Sequence, residues 1–186
     1  MFVLASASPR RRELLTQIGL TFDVEAAEID ETPQLAENPV RYVERLAHHK
    51  AAAVFARRRD QSRLVVLGAD TTVLCDGQML GKPRDEADAA RILRLLSGKT
   101  HQVITGIALV TATALQVAAE VTEVRMIGLT DQQIADYIAS GEPMGKAGAY
   151  AIQGRAARFI PRIEGCYFNV VGLPLARLSA MLETIR

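Results

Sequence analysis

The residue best suited to chemistry is Asp70, a carboxylate inside an apolar run. It follows Leu64–Leu67, typical of a buried strand, and the small residues Gly68 and Ala69, and the apolar run resumes at Thr72. A lone Asp is more often a turn residue. Here an unpaired charge is costly to bury, and open α/β sheets bind ligands beyond the carboxyl ends of their strands. We therefore expect Asp70 to act on a ligand.

A run of three arginines follows a predicted helix start. Ser8 is a typical N-cap and Pro9 a typical first helical residue, and Arg10, Arg11 and Arg12 fill the first turn. Cations at this end oppose the helix dipole by a few tenths of a kcal/mol each, whereas a bound phosphate would reverse that effect. Arg12 fits a solvated side chain. Arg10 and Arg11, nearest the turn, favour an anion site.

Two lysines extend the cationic set. Lys50 falls on the apolar stripe of a predicted helix, seven residues after Val43, where it either extends out to solvent or serves a site. Lys82 is held in a predicted loop between Gly81 and Pro83. Both alternatives for Lys50 stay open at this point.

The hydrophobic pattern predicts the elements that must position these residues. Strands are predicted at Phe2–Ala5, Phe22–Ala27, Leu64–Leu67, Val103–Val110, Val117–Ile127, Arg158–Ile163 and Tyr167–Val171, with a hairpin at Asp76-Gly77. Helices are predicted from Pro9 to Gly19, Pro39 to about Arg57, Asp85 to Gly98, Thr130 to Gly141 and Pro174 to Ile185. Long, antiparallel strands among helices indicate an α/β fold with a mixed sheet rather than a doubly wound one. No linker or repeat interrupts residues 1–186, which predicts one domain.

Composition excludes several classes of function. A net charge of +1 and 5% aromatic residues argue against a nucleic-acid or membrane surface. Ser97–Thr100 imitates the end of a phosphate-binding P-loop, but Leu93 stands where a glycine is required and a helix precedes the segment. Cys75 and Cys166 form no C-x-x-C pair, which predicts reduced thiols. Without a signal-like or membrane-spanning run, we expect a cytoplasmic protein.

Seven short motifs occur in order along the chain, each weak by itself. They are Leu4–Leu15, Gly68–Thr71, Gly81–Pro83, Ser97–His101, Lys146–Tyr150, Ile152–Gly154 and Val171–Pro174. The ordered set is highly specific, and it resembles the Maf-like nucleotide pyrophosphatases over essentially the whole chain.

The resemblance implies an enzyme that hydrolyses nucleoside triphosphates to the monophosphate and pyrophosphate with a divalent metal, Mg²⁺ or Mn²⁺. It implies a Maf/ITPase-like domain with two lobes and a cleft between them. Asp70 matches the family's proton acceptor and Glu31 its second carboxylate, and both are expected at the metal. Lys50 and Lys82 match its phosphate-side lysines. With Arg10 and Arg11 they would neutralise a triphosphate.

Three further matches imply the branch of the family that acts on dTTP and UTP. Arg10 follows Ser-Pro, Thr71 follows the central Asp, and Gln153 stands in Ile-Gln-Gly. The branch acting on 7-methyl-GTP has an aromatic residue, Ser-Asp-Gln and Ser-Glu-Gly instead. The Gln153 amide offers a donor and an acceptor, which suits O4 and N3–H of uracil or thymine. Arg10 and Thr71 would hold the nucleotide for that contact.

Some residues depart from the family pattern, and other functions stay open. Gly145 stands where an Asp is usual, Ala151 where a Gly is usual, and Ala156-Ala157 replaces a pair that commonly contains Gly. The resemblance implies nucleotide-pool house-cleaning, a link to septum formation, and a homodimer. The alternatives are a regulatory nucleic-acid-binding protein and a nucleotidyltransferase that uses the same phosphate site.

Overall fold

A computed structural model of the protein describes residues 1–185. The chain divides into two compact units. Unit 1 comprises Met1–Thr71, Thr105–Glu120 and Gly172–Arg186, and unit 2 comprises Thr72–Ile104 and Val121–Val171. The prediction that the chain forms a single domain stays a prediction.

Within residues 1–185, seven strands form one mixed sheet. The strands are β1 (Phe2–Ala5), β2 (Asp23–Val24), β3 (Val65–Cys75), β4 (Gln78–Leu80), β5 (Thr100–Val110), β6 (Leu115–Arg125) and β7 (Arg162–Glu164). Their order is β2-β1-β3-β5-β6-β7, with β4 beside β3. Strand β1 is parallel to β2 and β3, whereas β4 is antiparallel to β3 and β7 to β6. The predicted mixed sheet is confirmed.

Six α-helices accompany the sheet within residues 1–185. They are α1 (Pro9–Gln17), α2 (Pro39–Arg58), α3 (Glu86–Leu96), α4 (Asp131–Ala139), α5 (Tyr167–Val171) and α6 (Leu175–Thr184), and short 3₁₀ turns lie at Ala147–Ala149 and Arg155–Phe159. None of the helices in this part of the chain is both long and apolar enough to traverse a bilayer.

Helix α2 is the element that brings charge to unit 1. The Asn38 side chain accepts from the backbone N–H groups of Val40 and Arg41, which satisfies donors that the first turn leaves open. Its apolar face packs against the sheet in one cluster with residues of β1, β3 and β5. The buried helix residues are Val43, Leu46, Ala47, Ala51 and Val54. The predicted extent of this helix, to about Arg57, is confirmed.

Two strand glycines let α2 lie directly against the sheet. A Cβ atom at Gly68 of β3 would overlap the carbonyl oxygen of Ala47, and one at Gly106 of β5 would overlap the backbone of Val43. No residue with a side chain fits at either position without displacing the helix. The helix backbone therefore runs close to the strand that carries Asp70.

Local signals also hold in unit 2. Asp76 and Gly77 both have positive φ, 48° and 75°, as a two-residue hairpin turn requires. The Asp85 side chain caps α3 by accepting from Asp88 N at 2.7 Å. Thr130 and Gln133 form a reciprocal capping box at α4. Each of these predictions is confirmed.

Three predictions about strands are wrong. Strand β3 does not end before Asp70 but continues to Cys75, so Asp70 lies in mid-strand rather than beyond the strand's end. Tyr167–Val171 is helical. The predicted strand Arg158–Ile163 is reduced to β7, after a 3₁₀ turn, because Phe159 buries its ring against Tyr137. A short apolar run is too short to distinguish the two-residue period of a strand from the 3.6-residue period of a helix.

The first predicted strand is confirmed at Phe2–Ala5, but the second is shorter than expected. Strand β2 covers only Asp23–Val24 of the predicted Phe22–Ala27. Beyond it the Glu25 side chain turns to α2, where Arg57 and Arg58 bind it at 2.7 and 2.5 Å. Cys75 and Cys166 are free thiols, as predicted.

Candidate active site

Asp70 and Lys50 form an ion pair in the interior of unit 1. Asp70 is only 9% exposed, and Lys50 Nζ lies 2.6 Å from its Oδ1 atom. Because α2 approaches β3 at Gly68, Lys50 reaches the carboxylate directly rather than extending to solvent. Lys50 therefore does not extend to solvent, and its role in binding a ligand stays a prediction.

The same ammonium binds a second carboxylate. Lys50 Nζ lies 2.6 Å from Glu31 Oε1, so one cation stands between two anions that are 39 residues apart in sequence. The side chain of Glu31 is half exposed. The Tyr42 hydroxyl donates to the Glu31 backbone carbonyl at 3.0 Å. Burial and the charges of Asp70 and Glu31 raise the pKa of Tyr42 to about 12, so it remains a donor.

The loop that carries Glu31 is fixed by charge. Arg45 of α2 binds both carboxylate oxygens of Glu37 at 2.7 Å and donates to the Thr32 carbonyl at 3.2 Å. The bidentate pair lowers the pKa of Glu37 to about 2. The position of Glu31 therefore depends on a charge pair outside the site.

Arg11 is buried and joins three parts of unit 1. Its guanidinium makes four hydrogen bonds, to the carbonyl oxygens of Gly172 and Ala69 at 2.8 Å and to the hydroxyls of Ser6 and Thr71 at 3.0 Å. An arginine has five N–H groups, so these four bonds use most of them. Burial lowers its pKa although the nearby charge of Asp70 acts to raise it. Arg11 thus holds these parts of unit 1 together, in addition to the phosphate binding predicted for it.

Thr71 and Arg10 complete the predicted residues of unit 1. The Thr71 hydroxyl accepts from Arg11 and lies 2.9 Å from the hydroxyl of Thr105 on β5. Arg10 is half buried, and its charge lowers the pKa of Arg11. The first turn of α1 contains no acidic residue to offset these two cations. Such an arrangement favours a bound anion.

Lys82 and Gln153 belong to unit 2, and both are exposed there. The Gly81 carbonyl beside Lys82 accepts from Gly148 N at 3.1 Å, which joins its loop to the small-residue loop 146–154. Gly148 has a φ of 72°, and a Cβ atom there would lie 2.7 Å from Val73 Cγ2. The loop therefore requires glycine on two counts.

A family model described as Maf-like protein matches residues 1–185. The chain belongs to the Maf-like family. Two relatives are named dTTP/UTP pyrophosphatase. The one from Pelotomaculum thermopropionicum is 55% identical over 97% of this chain and 94% of its own length. The one from Symbiobacterium thermophilum is 53% identical over 97% and 91%.

The fold of this Maf-like protein also occurs in another protein of known structure. The structure of the Staphylococcus aureus Ham1 protein aligns with a TM-score of 0.53 at 13% identity, covering 100% of this chain and 99% of the other. This likeness shows the fold alone. It agrees with the α/β architecture predicted from the sequence.

Two residues of this Maf-like chain that depart from the expected pattern, Gly145 and Ala156, suit their structural surroundings. Gly145 is exposed with a φ of 72°, the left-handed region in which glycine, Asn and Asp are the common residues. Glycine therefore suits the backbone at this position. Ala156 is fully buried, so its methyl group is part of the packing of unit 2.

The donor set of the Maf-like site fits a hard divalent cation. Asp70 and Glu31 contribute two carboxylates directed at one point, where an ammonium ion now lies. Residues 1–185 contain no group of three or more acidic, His or Cys side chains close enough to hold a metal. Mg²⁺ is commonly held by one or two carboxylates together with substrate phosphates and water, which matches this count.

Sequence reasoning assigned no role to several residues that support the site. Tyr42 and Thr105 contact predicted site residues in unit 1. In unit 2, His101 bonds the Tyr150 hydroxyl at 2.8 Å, and Tyr137 bonds Glu142 at 2.7 Å. His101 and Tyr150 belong to two of the seven motifs, Ser97–His101 and Lys146–Tyr150, and this could have pointed to them. Tyr137 and Glu142 stand outside them.

Proposed function

We propose that this Maf-like protein hydrolyses dTTP and UTP to the monophosphate and pyrophosphate. The observation that carries the proposal is the buried Asp70 carboxylate, which shares one lysine ammonium with Glu31 beside the guanidinium of Arg11. A site for triphosphate hydrolysis needs cations for phosphate oxygens and a group that orients water. The two relatives at 55% and 53% identity support the choice of substrate.

Asp70 acts as the proton acceptor. Lys50 binds its Oδ1 atom, which leaves Oδ2 to accept a proton from the attacking water. Oxygen then attacks the α-phosphorus, and the bond to the bridging oxygen breaks with release of pyrophosphate. The hydrogen bond from Lys50 holds the carboxylate in one orientation during this step.

Asp70 and Glu31 would also hold the divalent metal. When bound, the metal supplies positive charge to the phosphate oxygens. Lys50 would keep its bond to Asp70 Oδ1, and the N–H group that now binds Glu31 would become available to the phosphates. A triphosphate carries roughly four negative charges, of which a divalent ion cancels about half. Arg10 and Lys82 supply the remaining charge in this proposal, while Arg11 adds its field and holds Thr71.

Gln153 reads the base in this proposal. Its side-chain oxygen accepts from N3–H of uracil or thymine and its nitrogen donates to O4. Cytosine presents the reverse pattern, which leaves unsatisfied polar groups at a cost of about 1–3 kcal/mol each. The exposure of Gln153 in unit 2 leaves its amide available for such contacts.

A panel of nucleoside triphosphates tests the proposal. Pyrophosphate release with Mg²⁺ or Mn²⁺ is expected to be fastest for dTTP and UTP, slower for CTP and slowest for purines. Asp70→Asn is expected to lower turnover by at least about 10²-fold with its melting curve unchanged in shape. Near-normal turnover in a folded Asp70→Asn protein would contradict the role of Asp70.

The same panel separates the alternatives. A nucleotidyltransferase would need an acceptor alcohol before it released pyrophosphate. A nucleic-acid-binding protein would give a salt-dependent gel shift and no release. We further propose a homodimer and a house-cleaning role, of which the first is tested by light scattering of the purified protein.

A further inference from the structure

The loop that carries Gln153 is bound on both sides by one carboxylate and one hydroxyl of unit 2. The Glu142 carboxylate accepts from Arg155 N through Oε2 at 3.0 Å. Its Oε1 atom accepts from the Tyr137 hydroxyl at 2.7 Å and from Ala156 N at 3.4 Å. The backbone directly after Gln153 is therefore fastened to Glu142.

Tyr137 fastens the backbone before Gln153. Its hydroxyl accepts from Ala151 N at 3.1 Å while donating to Glu142. The Tyr137 side chain is only 1% exposed and packs edge-to-face on Phe159, with 5.9 Å between ring centroids. Two rigid contacts thus lie at equal distances along the chain from Gln153, two residues before it and two after it.

Glu142 is itself held from the opposite side. Lys146 Nζ donates to its backbone carbonyl at 2.6 Å. A Cβ atom at Gly154 would lie 2.6 Å from Glu142 Cδ, so the absence of a side chain lets the carboxylate reach the loop. Burial acts to raise the pKa of Glu142, but its hydrogen bonds outweigh this and lower it. The ionised form is the one that the loop binds.

We propose that Glu142 is a positioning residue for base selection, acting with Tyr137 to hold Gln153 in the orientation that distinguishes uracil from cytosine. The inference rests on the proposed function, since it requires Gln153 to contact the base. A side chain that selects by hydrogen-bond pattern discriminates only while its orientation is fixed, because a loose amide can turn over and present the reverse pattern.

The substitution Glu142→Gln tests this with little change in shape. Both carboxylate oxygens accept hydrogen bonds, so an amide nitrogen would face a donor whichever way the side chain is turned. The matched control is Asp136→Asn, the same chemical change at an exposed residue of the same unit, whose bond from Gln132 an amide oxygen still accepts.

The expected result is a roughly tenfold fall in the UTP-to-CTP ratio of kcat/KM in Glu142→Gln, with no change in Asp136→Asn. The fall arises from a higher KM for UTP, whereas turnover of CTP is kept. In a Gln153→Ala background, Glu142→Gln is expected to change the ratio no further, because the effect passes through Gln153. An unchanged ratio in Glu142→Gln overturns the proposal. A further tenfold fall when Glu142→Gln is added to Gln153→Ala also overturns it.

Amide hydrogen exchange gives a readout that does not depend on activity. Glu142→Gln is expected to speed exchange at Ala151 and Arg155 while leaving α3 protected. Tyr137→Phe, which removes the shared hydroxyl, serves if Glu142→Gln does not fold and is expected to speed exchange at Ala151. Unchanged exchange in the folded variant overturns the positioning role. A wild-type protein that releases no pyrophosphate would refute the proposed function instead.

Discussion

Gly68→Ala tests whether the close approach of α2 and β3 creates the active site. A methyl group at Gly68 would lie 2.8 Å from Ala51 N, and it would overlap the carbonyl oxygen of Ala47. Ordinary van der Waals contact begins near 3.4 Å, so relief of the contact with Ala51 N alone requires about 0.6 Å, and the overlap with the Ala47 oxygen requires the helix to move further. Lys50 lies on that helix, one turn from Ala47, and moves with it.

The magnitude follows from these distances. Inserting a methyl group into a packed interface costs about 1–3 kcal/mol, which corresponds to a melting temperature lower by about 2–12 °C for a chain of this size. The distance from Lys50 Nζ to Asp70 Oδ1 would grow from 2.6 Å to beyond the limit of a hydrogen bond, about 3.2 Å. Misplacement on this scale is expected to lower turnover of UTP by about tenfold to a hundredfold.

Thermal unfolding and pyrophosphate release check both effects. The matched control is Gly128→Ala, because a Cβ atom at Gly128 has no atom within 4 Å, and its stability is expected to change by less than about 0.5 kcal/mol. If Gly68→Ala melts and turns over like Gly128→Ala, the reasoning from close approach is refuted.

Three further predictions concern single side chains. Lys82→Ala is expected to raise the KM for dTTP severalfold without altering the dTTP-to-GTP ratio, since an ammonium contacts phosphate; steady-state kinetics showing a changed ratio would assign Lys82 to the base. Gln153→Glu removes the donor to O4 and is expected to lower the preference for UTP over CTP in the same assay, and an unchanged factor would exclude Gln153 from base reading. Burial lowers the pKa of His101 to about 4 from a usual value near 6.5. Its contribution to stability is complete above about pH 6.5 and is lost toward pH 4, by up to about 1.4 kcal/mol per pH unit. Urea unfolding at pH 7 and pH 5 is expected to show a smaller loss for His101→Gln than for the unsubstituted protein, and equal losses would contradict this.

The parts of the fold that the sequence predicts are those decided within a few residues. The Asn38 cap, the Asp76-Gly77 turn and the Thr130 capping box involve neighbouring groups only, and all three are present. The strand predicted at Tyr167–Val171 is wrong because a short segment with four apolar residues and one Asn suits a strand as well as a helix. What decides it is the buried Asn169 amide, which donates to the Val103 carbonyl 66 positions away.

The site divides in the same way. Asp70 and Lys50 could be singled out in the sequence because a charge within an apolar pattern is costly and needs a partner. The hydrogen bonds that bury Arg11 were not predicted, because two of the acceptors are the backbone carbonyl groups of Ala69 and Gly172. Every residue has such a carbonyl group. Glu142 was missed for a related reason: its partners are mostly backbone N–H groups. Residue types do not show which backbone groups a side chain contacts.

The bond from Arg11 to Gly172 has a consequence for the order of events in folding. The two residues are 161 positions apart, and unit 1 is assembled from segments at both extremes of the sequence. Closing so long a loop costs entropy before any contact rewards it, and distant contacts slow folding. Until residue 172 has been synthesised, the Arg11 Nε–H has no acceptor there, and the guanidinium can bind only Ser6, Ala69 and Thr71. A nascent chain therefore contains Asp70, Lys50 and Glu31 before Arg11 can make all of its bonds beside them, so the proposed site is completed only after residue 172 has been synthesised.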